Sequence, residues 1–113
     1  MPLTARLLAD QAFSRAAGAP LVHGNAVRLL KDARENYPAW LEAIGSAAAN
    51  VHFESYMVHA DEVGDRFADA LVATARRGVP VRVVYDWLGA GGSLGIRRRR
   101  LWRRLREGRV EVR

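Results

Sequence analysis

Residues 51–86 read VHFESYMVHADEVGDRFADALVATARRGVPVRVVYD, and their order decides the fold. Val51–Val58 is rich in β-branched and aromatic residues and reads as a strand. Asp61 then serves as a helix N-cap, and Val63, Phe67, Ala70, Leu71 and Ala75 recur at helical spacing over 62–77. Acidic residues lead this helix and Arg76 and Arg77 trail it, as the helix dipole prefers. Gly78 takes the C′ position, and Val81–Asp86 forms a second short apolar strand. Strand, helix and strand in this order argue for parallel strands with the helix packed against them.

Upstream, Ala26–Lys31 (AVRLLK) predicts a strand, and Asn36, Tyr37 and Pro38 open a helix, since proline suits the first helical position. Tyr37, Leu41, Ile44 and Ala48 share one face of that helix, and Asn50 closes it. Residues 4–17 predict a first helix, capped by Thr4, with a loose stripe of Leu7, Leu8, Ala12 and Phe13. That stripe suits either docking on the protein or lying on a membrane surface. Residues 1–22 therefore form a helix and linker, and residues 23–113 the main domain.

Downstream, Gly89, Gly91, Gly92 and Gly95 mark a flexible connector, LGAGGSL over 88–94, without the Lys-Ser/Thr of a phosphate-binding loop. Arg97–Glu107 is a basic helix with Leu101, Trp102 and Leu105 as its apolar residues, and Val110–Val112 begins one more strand. The fold class is α/β: a mostly parallel sheet flanked by helices. It is incomplete, because the last strand has nothing after it to pair or cover it. Such a sheet exposes edges and apolar surface that invite self-association.

The 113 residues suit one domain, and their 50% apolar content supports a packed core. No apolar run nears the roughly 20 residues of a membrane span, and no signal-type h-region is present. Without cysteine there are no disulfides, thiolate metal sites or cysteine nucleophiles, and the three histidines are scattered, so no metal site is expected. The net charge of +6 is concentrated. Residues 97–113 carry nine arginines against Glu107 and Glu111, or +7, and residues 1–96 sum to −1.

From Gly24 onward the chain resembles the N-terminal half of the phospholipase D superfamily, in particular bacterial cardiolipin synthase-type members. The likeness rests on GNAVRLLKD (24–32), YPAWLEAIGSAAANVHFESYMV (37–58), DEVGDRFADALVATARRGVPVRVVYDWLG (61–89) and LWRRLREGRVEVR (101–113). It implies a phospholipase D-like half domain and phosphatidyl transfer between phospholipids through a phosphohistidine, with no metal or cofactor. It also implies a bacterial protein, cytoplasmic or peripheral at the inner membrane. The family works through a His-x-Lys-(x)4-Asp motif, and here His23, His52 and His59 are followed two residues later by Asn25, Glu54 and Asp61. The catalytic motif is absent, so the chain supplies no catalytic residue. The resemblance places the first such motif beyond Val110, which implies a chain truncated before its chemistry and a missing C-terminal part of the same protein. A short pseudoenzyme is the other account, and a fragment of a phospholipase D-family nuclease is a third reading.

Three residues are candidates for active-site support. Glu54 and Tyr56 share one strand face with His52, and Phe53, Ser55 and Met57 share the other. The resemblance implies that Glu54 and Tyr56 reach the pocket edge and orient the absent histidine; otherwise they are ordinary strand residues. Asp86 ends a strand, where ligand sites gather in parallel sheets, or it simply closes a turn. Arg97, Arg98, Arg99, Arg100, Arg103 and Arg104 either form a solvated face or contact anionic phospholipid at a membrane surface. Nucleic acid is a lesser third partner, with Trp102 available to stack.

Overall fold

The computed structural model describes residues 3–56, 59–86 and 95–113. The chain divides into two compact units, Met1–Leu30 and Lys31–Arg113. The first holds helix α1 (Leu3–Ala17). Its helix already includes Leu3, so Thr4 lies inside the first turn and does not cap it. Leu7, Leu8 and Phe13 are exposed.

The strand expected at Ala26–Lys31 does not form. These residues are irregular, and Val27 and Leu29 are 93% and 84% exposed. An apolar segment becomes a strand only where a neighbour satisfies its backbone groups. The described sheet contains only the three strands of the second unit.

The second unit runs α2 (Ala33–Ser46), β1 (Val51–Ser55), α3 (Glu62–Arg76), β2 (Val81–Tyr85), α4 (Ile96–Glu107) and β3 (Glu111–Val112). The sheet is parallel in the order β1-β2-β3. The expected strand at 51–58 ends at Ser55; Met57 and Val58 lie outside the described residues, as does the connector at 88–94. Two right-handed crossovers that step in the same direction put their helices on the same sheet face. α3 and α4 therefore share that face, where Val51, Val81 and Val83 are buried with Phe67, Leu71, Leu101, Trp102 and Leu105. Exposed Arg82 and Val84 alternate with buried Val81 and Val83, so the opposite face of β2 carries no layer among the described residues.

Local chemistry explains the helix boundaries. α2 starts at Ala33, ahead of the expected Asn36. The Asp32 side chain accepts from the Arg34 N–H at 2.9 Å, and Glu35 accepts from the Lys31 N–H at 3.1 Å. This cap overrides the proline signal, and Pro38 is carried inside the helix, where it leaves the Arg34 carbonyl without its helical donor. α2 ends at Ser46, before Asn50, because α3 takes over its last carbonyls. Buried Thr74 donates to the Ile44 C=O at 2.9 Å, and the Arg77 guanidinium donates to the Gly45 C=O at 2.8 Å.

α3 follows the sequence closely: the Asp61 side chain accepts from the Gly64 N–H at 2.9 Å, and Gly78 sits at φ 89° in the left-handed C′ position. α4 ends on the same motif, but its glycine takes the C-cap instead of C′. Arg109, at φ 67°, takes C′, with Val110 N–H donating to Leu105 C=O at 3.0 Å. Gly108 precedes it because a Cβ there would press on the Val72 methyls at 2.5 Å. Holding a non-glycine residue in this conformation costs about 1–2 kcal/mol, set against close contact between α3 and α4.

Candidate functional site

The uncovered sheet face gathers the three candidate support residues. Glu54 lies opposite Val84 in the β1–β2 register. The Asp86 N–H donates to the Ser55 C=O at 3.3 Å, which continues the ladder by one step and sets Tyr56 beside Asp86. On the other side, Arg113 N–H donates to Val83 C=O at 2.9 Å and its C=O accepts from Tyr85 N–H at 3.3 Å, which places Arg113 next to Val84. Glu54, Tyr56 and Asp86 thus stand together at the carboxyl end of the strands, where parallel sheets place ligands. All three are exposed, Tyr56 by 67%.

One step toward the amino end, His52, Arg82 and Glu111 form a row across the sheet. The Arg82 Nε donates to Glu111 at 2.7 Å, and Arg113 donates to the other Glu111 oxygen at 2.6 Å. The hydrogen bond from Arg82 holds the Glu111 carboxyl below its ordinary range; desolvation opposes it, and the hydrogen bond from Arg113 adds a further lowering. A depressed carboxylate adds stability that is present at neutral pH and lost as pH falls through its folded value. Arg82→Gln is therefore expected to move the Glu111 titration upward, as carboxyl chemical shifts followed against pH would show.

The helix side of the sheet carries a different feature. A cavity of about 200 Å³ lies among Phe53, Ser55, His59, Asp61, Phe67, Val83, Leu101 and Trp102. Tyr37, Trp40, Phe53 and Phe67 form an aromatic group beside it, with ring centroids 5.6–6.4 Å apart. Glu54, Tyr56 and Asp86 do not line this cavity. Of the expected face Tyr37, Leu41, Ile44 and Ala48, Ile44 is buried and Leu41 half-buried, but Ala48 lies beyond the end of α2 and is exposed; that Tyr37 would meet Phe67 from another helix was not legible locally.

The basic helix resolves into two sides. Arg104 pairs with Asp69 and, at 3.5 Å, with Asp65 on α3, so its charge is met within the fold. Arg97 and Arg100 border the same acidic groove, and Arg98 is half-buried. Arg99, Arg103 and Arg106 are exposed on one ridge at the spacing of successive turns. Trp102 is only 3% exposed and stacks on Tyr85 at 4.1 Å. The expectation that it stacks on a nucleic-acid base is therefore corrected: the indole is core, because Leu101, Trp102 and Leu105 form the inward stripe of α4. No described helix is long and apolar enough to cross a membrane.

The chain is similar in sequence to known bacterial proteins. The chain is 37% identical over 90 residues to the major cardiolipin synthase ClsA of Bacillus subtilis, covering 78% of the chain and 18% of that protein. It is 29% identical over 113 residues to cardiolipin synthase 1 of Bacillus anthracis, covering 99% of the chain and 21% of that protein. With cardiolipin synthase B of Escherichia coli it shares 37% identity over 67 residues, covering 59% of the chain and 16% of that protein. No protein-family model matches the chain, and no solved structure does. It spans about a fifth of the length of these relatives. By these matches and its α/β architecture, the chain is a cardiolipin synthase-like member of the phospholipase D superfamily.

Proposed function

We propose that this chain contributes sheet scaffold and pocket support to a phospholipase D-like phosphatidyltransferase of the cardiolipin synthase type. The observation that carries the reading is the 37% identity over 90 residues to a bacterial cardiolipin synthase. In such an enzyme a histidine nitrogen attacks phosphorus and the bond to the leaving glycerol oxygen breaks, with a second histidine protonating that oxygen. The same group then takes the proton of an acceptor hydroxyl, which displaces the histidine. None of the three histidines here lies two residues before a lysine, so those groups come from other polypeptide. Glu54, Tyr56 and Asp86 hold or orient them by hydrogen bonds from the carboxyl end of the sheet.

A chimera tests this: residues 24–113 replace the matching segment of the Bacillus subtilis enzyme. The chimera is expected to convert phosphatidylglycerol to cardiolipin, and the chain alone is expected to show no turnover. Glu54→Gln within the chimera is expected to lower the transfer rate about 10- to 100-fold, the range for supporting and acid–base partners. A folded chimera without transfer, or turnover by the chain alone, sinks the proposal.

The exposed ridge of Arg99, Arg103 and Arg106 favours a second reading alongside the first, a module that rests on anionic phospholipid. It requires no nucleophile and depends on charge alone.

A further inference from the structure

The cavity of about 200 Å³ on the helix side of the sheet is separate from the support residues, and its walls come from α2, β1, α3, β2 and α4 of the second unit. Leu71, Val83, Leu101, Trp102 and Leu105 form its floor, each no more than 4% exposed. Trp40, 45% exposed, and exposed His59 stand at its mouth. A Cβ on Gly64 would collide with the His59 C=O, so this glycine lets the segment before α3 lie close over the helix start. The floor holds one polar group, the Trp102 indole Nε1, which is buried without a hydrogen-bond partner among the described residues. Buried donors are nearly always paired, so an orphan donor in the wall of a cavity points to an acceptor that belongs there. Water suits the place badly. The other floor side chains are apolar, and a buried water needs about two to four polar partners. An apolar cavity of about 150 Å³ stays dry and takes a molecule the size of benzene.

We infer that this cavity binds a compact, neutral, largely apolar carbonyl compound whose oxygen accepts from the Trp102 indole N–H. The acceptor goes to the floor. The apolar body lies against the rings of Tyr37, Trp40, Phe53 and Phe67, which line the same space and offer tilted and edge contacts. The ligand is neutral because the floor carries no charge to pair with an ion. The inference holds whether or not the chain serves phosphatidyl transfer, because Glu54, Tyr56 and Asp86 do not line the cavity.

Two probes of nearly one shape test it on the nitrogen-15-labelled full chain: acetophenone, and α-methylstyrene, in which a methylene replaces the carbonyl oxygen. The spectrum of Trp102→Phe identifies the Trp102 indole signal by its loss. Acetophenone is expected to move that signal downfield in a saturable way and to shift the methyl signals of Leu71 and Leu101. α-Methylstyrene is expected to shift the same methyls with about 5- to 10-fold weaker affinity, the worth of one net hydrogen bond. In Trp102→Phe the two probes should bind equally. No saturable shift with acetophenone, shifts confined to residues outside the cavity, equal affinity for both probes in the parent chain, or a preference for acetophenone that survives in Trp102→Phe overturns the inference.

Discussion

Trp102→Ala is expected to leave the chain largely unfolded. The indole is buried between α4 and the sheet, stacked on Tyr85 with a 19° tilt, and it lies beside Leu101 and Leu105 in the one core of the second unit. Truncating a buried aromatic residue costs about 3–5 kcal/mol. Small domains hold only about 5–15 kcal/mol in total, and among the described residues this one packs a single face of its sheet. Urea unfolding followed by circular dichroism should show no native baseline for this variant, or a midpoint close to zero denaturant. Trp102→Phe should be much milder, because it keeps a ring on Tyr85 and removes an indole N–H that is buried with no partner among the described residues. If Trp102→Ala unfolds like the parent chain, α4 is not fixed to the sheet as described.

Replacing Arg99, Arg103 and Arg106 together by Gln is expected to abolish most binding to vesicles rich in phosphatidylglycerol. Each basic side chain near an anionic surface contributes about 1 kcal/mol, so three remove roughly 3 kcal/mol, a drop of more than about 100-fold. Binding by the parent chain should weaken steeply with salt. Arg104→Gln should matter less to binding, because Asp65 and Asp69 already meet that charge. Co-sedimentation over a salt series measures both. Equal binding by the triple variant and its parent would assign the ridge to plain solvated surface.

The sequence was most legible where structure is decided within a few residues. Asp61 caps α3 and Gly78 ends it because both act on neighbouring backbone groups. The alternation in VHFES also told that His52 and Glu54 share one face and Phe53 and Ser55 the other, whereas the placing of Asp86 beside Tyr56 depends on the pairing of β1 with β2, which no local pattern revealed. The failures share a different cause. AVRLLK is apolar enough to read as a strand, but composition supplies no neighbour, and without one its backbone stays irregular. Pro38 suggested a helix start that Asp32 and Glu35 moved upstream. The pairing of Arg104 with Asp69 spans 35 residues, so no local pattern revealed that this arginine is spent inside the fold.

The grip of α3 on the end of α2 has a mechanical corollary. If these two helices separated, the Ile44 carbonyl would lose its buried donor and the Gly45 carbonyl its cation at once. Parting them therefore costs two hydrogen bonds together, about 1–3 kcal/mol. The end of α2 is tied to α3 through its backbone, so a substitution at Thr74 or Arg77 is felt on both helices.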